Sequence, residues 1–172
     1  EQPVDEQEIW AVLETALRGA CEQFVESRIR EGENLKLDLI EKLDGMLTDV
    51  AAIEKRSPEI LQAYRTKLTE KVKELLSDTQ LEESRIATEV ILYADKICTD
   101  EETVRLHSHI ESMKQTLQTG GSIGRKLDFI AQEMNREANT ILSKANDLET
   151  SNLAINLKTE IEKVREQIQN IE

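Results

Sequence analysis

The 172-residue sequence has few of the residues that interrupt helices. It contains 2 Pro and 6 Gly, and aromatic residues make up only 3% of the chain. A sequence poor in helix breakers and rich in Leu, Ile, Glu and Lys is typical of an all-α protein. Because aromatic residues are scarce, the core must be built mostly from Leu, Ile and Val, which suits long helices packed side by side.

Cysteine, long apolar runs and positive charge are also limited. Cys21 and Cys98 are the only cysteines, and one pair in a helical chain predicts a reduced, cytoplasmic protein. No apolar run approaches the length of a membrane span, so no membrane association is predicted. The net charge of −13 repels nucleic acid at long range and argues against general DNA binding. It still allows a local basic patch, or a metal that bridges carboxylates to phosphate.

Apolar residues recur at spacings of three and four through the first half of the chain, which predicts helices. The first helix is predicted to start at Asp5 and to kink or end at Gly32. Ser57 as N-cap and Pro58 at the first helical position predict a new helix start. The stripes on either side therefore predict an antiparallel helical hairpin over residues 33 to 77. These stripes are Leu35, Leu39, Leu43, Met46, Val50 and Ile53, and Leu61, Tyr64, Leu68, Val72 and Leu75.

The second half of the chain has the clearest signals for the boundaries of helices. A polar break is predicted at residues 78 to 80, a capping box at Thr99 and Glu102, and a turn at Gly120-Gly121. The predicted fold is therefore all-α, with long antiparallel helical hairpins followed by a C-terminal helical bundle. Two domains are predicted: N-terminal long helices at residues 1–80 and a C-terminal helical domain at 81–172.

The segment LDFIAQEMNREANTILSK, residues 127–144, predicts an amphipathic helix with an unusual polar side. Its spacing of four, three and four puts Asp128, Gln132, Asn135 and Asn139 in one row. Glu133, Arg136 and Thr140 lie further round the helix, and Phe129 projects among them. Asn and Asp are poor helix formers, so helix propensity does not explain this row. A functional site would explain this row. So would a solvated helix face or hydrogen bonds to a neighbouring helix, and these structural explanations are the commoner ones.

Two further features bear on chemistry. Glu133 and Glu137, four residues apart, repel each other by about 0.2–0.5 kcal/mol unless Arg136 or a divalent cation offsets the repulsion. Carboxylates with open water positions suit Mg²⁺ or Mn²⁺. His107 and His109 point in nearly opposite directions on a helix, so they do not chelate one metal. His109 shares a face with Arg105 and is a candidate general acid or base. The sequence contains no phosphate loop, nucleophile elbow or zinc-ligand spacing.

Four stretches together resemble one protein family. They are EGENL (31–35), RLHSHI (105–110), GRKLDFIAQEMNREANTILSKA (124–145) and LKTEIEKVREQIQNIE (157–172). They resemble the YicC/YloC family of bacterial proteins, and the resemblance extends over the whole chain. Members of the family carry a further N-terminal domain, so this chain is expected to correspond to the C-terminal, largely helical part. Cys98-Thr99 departs from the Asp-Ile type of pair expected at that position.

The resemblance implies a stress-associated, metal-dependent endoribonuclease that forms a ring-like homo-oligomer. Its expected partner is single-stranded RNA, and its expected cofactor is Mg²⁺ or Mn²⁺. The resemblance makes four residues candidates for catalysis: Glu133, Glu137, His109 and Arg136. The candidates for RNA or phosphate binding are Arg28, Arg105, Gln132, Asn135, Asn139, Lys144, Arg165, Gln167 and Asn170. The candidate metal ligands are Glu133, Glu137, Asp128, Glu162 and Glu166.

A competing hypothesis belongs to another functional class. Long helical hairpins with seam-like spacing suit an assembly module, in which the polar rows join subunits. Alanine at Glu133 or Glu137 separates the two hypotheses. A catalytic role predicts loss of cleavage with the assembly intact, whereas a structural role predicts that the oligomer or its melting temperature falls first.

Overall fold

The computed structural model describes residues 5–75 and 83–171, and this part of the chain is helical without any strand. The helices are α1 (Glu6–Leu75), α2 (Glu83–Ile97), α3 (Asp100–Thr119), α4 (Gly124–Lys144) and α5 (Leu148–Ile168). The predicted all-α class is confirmed. None of the described helices combines the length and the apolar character that crossing a membrane requires.

The chain divides into two compact units, Glu1–Asp38 and Leu39–Glu172. The predicted boundary between residues 80 and 81 stays a prediction, because it lies outside the described residues. The predicted polar break at 78–80 lies outside them as well.

Helix α1 continues through the position at which the sequence predicts a hairpin turn. Pro58 lies inside α1, so the hairpin over residues 33 to 77 is wrong, and Gly32 does not end the helix either. A proline inside a helix removes one hydrogen bond and costs about 3 kcal/mol. Contacts on both sides of Pro58 offset this cost. Ile53 is buried in the core, and Arg56 reaches across the proline to Glu59, 2.8 Å away.

The start of α1 agrees with the sequence. The carboxylate of Asp5 accepts a hydrogen bond of 2.9 Å from the backbone N–H of Gln7, which leaves one fewer unpaired donor at the helix terminus. Up to Asp38, this helix exposes large apolar side chains along its length. They are Ile9, Trp10, Val12, Leu13, Leu17, Phe24, Val25, Ile29 and Leu37.

The second unit contains a four-helix bundle. Helix α4 packs antiparallel between α3 and α5, because its end meets the start of α3 and its start meets the end of α5. Residues 39–56 of α1 also run antiparallel to both α3 and α5, as side-chain pairs along their length show. These pairs are Asp44 with Lys114, Glu54 with His107, Asp49 with Asn156, and Arg56 with Asp147.

The core of this bundle consists of one apolar stripe on each helix. The stripe predicted through Leu39 and Ile53 of α1 forms part of it, although Leu35 is only half-buried. Each of the four helices contributes apolar residues at spacings of three and four, and these residues are buried. They are Leu39, Leu43, Met46, Val50 and Ile53 of α1; Leu106, Ile110, Met113 and Leu117 of α3; Leu127, Ile130, Ala131, Met134, Ala138 and Ile141 of α4; and Ala154, Leu157, Ile161, Val164 and Ile168 of α5.

Helix α2 is held to α1 by an aromatic contact. The rings of Tyr64 and Tyr93 stack with centroids 3.8 Å apart, and the Tyr64 hydroxyl lies 3.4 Å from a carboxylate oxygen of Glu89. The Tyr93 hydroxyl accepts a 3.0 Å hydrogen bond from Asn146, which follows α4. These contacts connect α2 to the end of the bundle at which α4 finishes.

The turn between α3 and α4 depends on glycine. Gly120 has φ 69° and ψ −163°, a region that side chains with a Cβ avoid, and Gly121 has φ 85°. The backbone N–H of Gly120 still donates to the carbonyl of Thr116, so the glycine ends α3 as it reverses the chain. Gly124 at the start of α4 has a different role. An added Cβ there would lie 2.6 Å from the carbonyl oxygen of Ile171.

Gly120→Ala is expected to lower the free energy of unfolding by about 1–3 kcal/mol, because alanine is strained at this φ and ψ. Gly45→Ala is the matched control, since Gly45 lies inside α1 with open space around it. It is expected to stabilise the protein by about 0.5–1 kcal/mol through helix propensity. Urea unfolding followed by far-UV circular dichroism measures both. Equal changes in the two variants would contradict the conformational argument.

Candidate functional site

Helix α4 has two polar edges, and one of them faces α3. Glu137 is buried there, with a side chain only 6% exposed, and lies 3.5 Å from the guanidinium of Arg105. Two turns closer to the end of α4, Lys144 donates to Glu102 at 2.8 Å and to the carbonyl of Cys98 at 3.0 Å. The predicted residues Arg105, Glu137 and Lys144 therefore form charge pairs between the two helices.

We call the contact between α3 and α4 that contains Arg105, Glu137, Glu102 and Lys144 the α3–α4 seam. Two further predicted residues lie along it. His109 follows Arg105 by four residues, and Glu133 precedes Glu137 by four, so each lies on the same side of its helix as its neighbour. Because α3 and α4 are antiparallel, the register that pairs Arg105 with Glu137 aligns His109 with Glu133. Both side chains are half-buried. Three of the four candidate catalytic residues thus share one seam.

The other polar edge of α4 faces α5. Asp128 accepts a hydrogen bond of 3.0 Å from Arg165 and one of 2.7 Å from Gln132. The bond from Arg165 is the main reason that the pKa of Asp128 lies below its ordinary value, and it also raises the pKa of Arg165. Further along this edge, Asn135 lines a shallow groove with Lys158, Thr159, Glu162, Lys163 and Glu166 of α5. Asp128, Gln132, Asn135, Glu162, Arg165 and Glu166 therefore belong to the α4–α5 edge.

The remaining candidates are exposed. Asn139 follows Asn135 by one turn and continues the row on the α4–α5 side, while Arg136 lies on the outer surface of α4 between the two edges. Gln167 and Asn170 are exposed at the end of α5, and Arg28 belongs to the first unit. The structure therefore distributes the predicted RNA-binding residues over several surfaces.

The five predicted metal ligands do not meet. Asp128 and Glu137 are nine residues apart on α4, which places them on opposite sides of the helix, and Glu162 and Glu166 lie with Asp128. Within residues 5–75 and 83–171, no three His, Cys, Asp or Glu side chains are grouped to hold a metal ion. Glu133 and Glu137 remain as a pair one turn apart. Such a pair fits Mg²⁺, which keeps several waters and takes other oxygens from a substrate phosphate.

The predicted capping box at the start of α3 is wrong. Thr99 occupies the N-cap position but makes no side-chain hydrogen bond to the helix. Glu102 instead accepts from Lys144, because a buried carboxylate is stabilised more by a cation than by a backbone N–H. Asp147 is the residue that caps a helix in this region. Its carboxylate accepts from the N–H of Thr150 at the start of α5.

The environment of Asp147 predicts a pH-dependent stability. Burial raises the pKa of Asp147, but hydrogen bonding to Thr150 and the charge of Arg56 outweigh burial, so the pKa lies below its ordinary value of 3.8. A lowered folded-state pKa stabilises the protein above the ordinary value. This contribution is lost as the pH falls through the folded-state pKa.

Asp147→Asn is expected to lower the free energy of unfolding by about 1 kcal/mol at pH 7. The difference from wild type should shrink as the pH falls below 3.8 and through the lower folded-state pKa of Asp147, because the wild-type carboxylate then becomes protonated. Asn is a good N-cap, so the substitution removes the charge and keeps the cap. Glu149→Gln, which changes an exposed carboxylate 3.2 Å from the same arginine, is the control. A pH-independent loss in Asp147→Asn would contradict the prediction.

Comparison with known proteins identifies the family to which this sequence belongs. The model of the family described as "Endoribonuclease YicC-like, C-terminal" matches residues 53–172. The chain belongs to the YicC-like family. The resemblance seen in the sequence is therefore confirmed, and the matched region includes α3, α4, α5 and the polar edges between them.

Two curated relatives extend the comparison to the whole chain. A "Probable endoribonuclease YicC" from Clostridioides difficile (strain 630) is 44% identical, over 100% of this chain and 59% of the relative. A protein of the same name from Haemophilus influenzae (strain ATCC 51907 / DSM 11121 / KW20 / Rd) is 37% identical, over 93% of this chain and 55% of the relative. The chain thus spans little more than half the length of either relative.

The sequence reasoning missed several residues that the structure places at notable positions. Glu102 is the buried partner of Lys144 and not a capping residue. Arg125 and Phe129, which are not among the predicted site residues, are both exposed on the same outer surface of α4 as Arg136. Helical spacing was the available signal, because residues 125, 129 and 136 fall within a narrow arc of a helical wheel.

Proposed function

We propose that this chain is the C-terminal helical part of a metal-dependent endoribonuclease that cuts single-stranded RNA. The observation that carries this proposal is the similarity of the whole chain to a relative whose name states endoribonuclease activity. The α3–α4 seam supports it, because the antiparallel register that pairs Arg105 with Glu137 also aligns His109 with Glu133. A cytoplasmic location, where RNA is present, belongs to the same proposal.

The roles within the seam follow from burial and charge. Glu133 and Glu137 would hold a Mg²⁺ or Mn²⁺ ion, which supplies charge neutralisation of the phosphate and activation of water when bound. Arg105 balances the charges of Glu137 and Glu101, and its side chain is about half exposed, so it would be accessible to a phosphate oxygen. His109 would give a proton to the leaving oxygen. Arg165 takes no part, because it is bound to Asp128 on the other edge.

The test is cleavage of a short, end-labelled single-stranded RNA with Mn²⁺, with Mg²⁺ and with EDTA. Glu133→Gln, Glu137→Gln and His109→Gln are each expected to lower the rate by about 10²-fold or more, with little change in fold. Glu162→Gln, on the α4–α5 edge, is the matched control and should cut at the wild-type rate. Metal-dependent cleavage that survives all three seam variants would place the active site elsewhere.

A second candidate function is homo-oligomeric assembly. The observation that favours it is the exposed apolar side of α1 before residue 39, where Leu13, Leu17 and Phe24 repeat at spacings of four and seven. Such spacing is typical of a coiled-coil seam that another helix covers. Light scattering of the wild type and of Leu17→Glu tests this function. A monomer at all concentrations in both proteins would exclude it.

A further inference from the structure

The outer surface of α4 carries a cationic and aromatic patch. Arg125, Phe129 and Arg136 are all exposed and lie within a narrow arc of the helix. Spacing along the helix axis places Phe129 about 6 Å from Arg125 and about 10 Å from Arg136. We name these three residues the outer patch. It lies between the α3–α4 seam and the α4–α5 edge and overlaps neither set of charge pairs.

The exposure of Phe129 is not explained by the fold. Its side chain is 63% exposed, whereas Tyr64 and Tyr93, the other aromatic residues of the second unit, are stacked on each other. The bundle core is complete with aliphatic residues, Met and Ala, so Phe129 contributes nothing to it. A large aromatic side chain in water forgoes the free energy of burial that it would gain from a partner.

The charges of the outer patch are also available. Arg18, Arg56, Arg105 and Arg165 form ion pairs, while Arg125 and Arg136 have no ion-pair partner among the described residues. Asp128 beside the patch is already paired with Arg165. The patch is therefore locally cationic on a chain of net charge −13, which makes a polyanion the complementary ligand.

We infer that the outer patch binds single-stranded RNA, with one base stacked on Phe129 and neighbouring phosphates bound by Arg125 and Arg136. An aromatic ring between cations is the combination that recognises single strands, because stacking takes any base and the cations follow the backbone. The amide of Gln132, three residues after Phe129 on α4, donates to Asp128 and can also offer a hydrogen bond to a base edge. This inference rests on the proposed function and assigns to the patch the role of holding the strand next to the α3–α4 seam.

The test measures binding separately from cleavage. Fluorescence anisotropy in EDTA gives Kd for a fluorescein-labelled single-stranded RNA and for an abasic oligonucleotide of the same length. Phe129→Ala is expected to raise Kd for the intact RNA by roughly 5- to 100-fold and to leave Kd for the abasic strand unchanged. Phe129→Tyr should retain wild-type affinity. Phe24→Ala is the matched control, since Phe24 is 66% exposed in the first unit.

The arginines have a different signature. Arg125→Gln and Arg136→Gln should weaken binding of both oligonucleotides and each lower the slope of log Kd against log salt by about 0.7. Arg18→Gln, which removes an exposed arginine of the first unit, should leave the slope unchanged. Unaltered slopes in the two patch variants would show that phosphates do not contact the patch.

Two results would overturn the inference. They are no binding of single-stranded RNA by the wild type, and equal Kd values for Phe129→Ala and wild type. If Phe129→Ala changes the oligomeric state while Kd stays the same, the patch is a protein interface. Phe129-dependent binding without metal-dependent cleavage would reject the proposed function and keep this inference. Metal-dependent cleavage together with a Kd that does not depend on Phe129 would keep the proposed function and reject this inference.

Discussion

Lys144→Met is expected to lower the free energy of unfolding by roughly 2–4 kcal/mol at pH 7. The loss of stability comes from Glu102, the carboxylate that Lys144 neutralises, more than from the lysine itself. The side chain of Glu102 is only 8% exposed, and its second carboxylate oxygen has no hydrogen-bond partner among the described residues. Removing the ammonium group leaves a buried carboxylate without a cation, while methionine keeps most of the lysine's packing. Urea unfolding measures the change.

The same substitution at an exposed pair provides the control. Lys163 lies 2.6 Å from Glu160, three residues earlier on α5, and its side chain is half exposed. Lys163→Met should therefore change stability by less than about 0.5 kcal/mol. The double variant Glu102→Leu/Lys144→Met should recover most of the loss, because a well-packed apolar pair replaces the ions. Similar losses in Lys144→Met and Lys163→Met would show that Glu102 is hydrated rather than buried.

The buried pair also bears on the role predicted for Lys144. The sequence resemblance made Lys144 a candidate phosphate ligand, and that role stays a prediction. Its ammonium group already donates to Glu102 and to the Cys98 carbonyl, so two of its three donors are used. A lysine held in this way orients the start of α3 against the end of α4. RNA binding by a Lys144→Met protein that has lost stability would have to be compared at equal folded fraction.

The sequence predicts the bundle core well because the core depends on local periodicity. The stripes through Leu43, Leu106, Met134 and Leu157 are each visible within one helix, and all four residues are buried. The continuation of α1 through Pro58 is not visible locally, because the contacts on either side of it come from distant residues. Arg56, before the proline, contacts Asp147 and Glu149, and Tyr64, after it, stacks on Tyr93 of α2. The same limit applies to the first unit, where periodicity predicts an apolar face without showing what covers it.

The candidate site was harder to predict, since it depends on which helices are neighbours. The chemistry of α4 was evident from its residues, but the partners Arg105 and Arg165 lie on different helices on opposite sides of it. The division of the metal ligands was available from the sequence, because nine residues on a helix correspond to half a turn beyond two full turns. The pairing of Lys144 with Glu102 was not, because 42 residues separate them and neither spacing nor composition records the contact.

Leu43→Ala and Leu13→Ala are expected to differ sharply, although both change a leucine on α1. Leu43 is fully buried in the bundle core, whereas Leu13 is 47% exposed. Leu43→Ala should lower the free energy of unfolding by about 3 kcal/mol, through lost burial and the cavity that remains. Leu13→Ala should change it by less than about 0.5 kcal/mol in dilute protein. Far-UV circular dichroism is the suitable probe, because Trp10, the single tryptophan, lies in the first unit.

The dependence on protein concentration makes this comparison informative about assembly. If another helix covers the exposed face around Leu13, association stabilises the wild type more as its concentration rises. Leu13→Ala should then lose stability relative to wild type only at high concentration, whereas the deficit of Leu43→Ala should be the same at every concentration. A concentration-independent effect of Leu13→Ala would reject assembly through this face. In that case a protein other than a second copy of this chain would have to cover the exposed leucines of α1. The spacing of the leucines alone would not identify that protein.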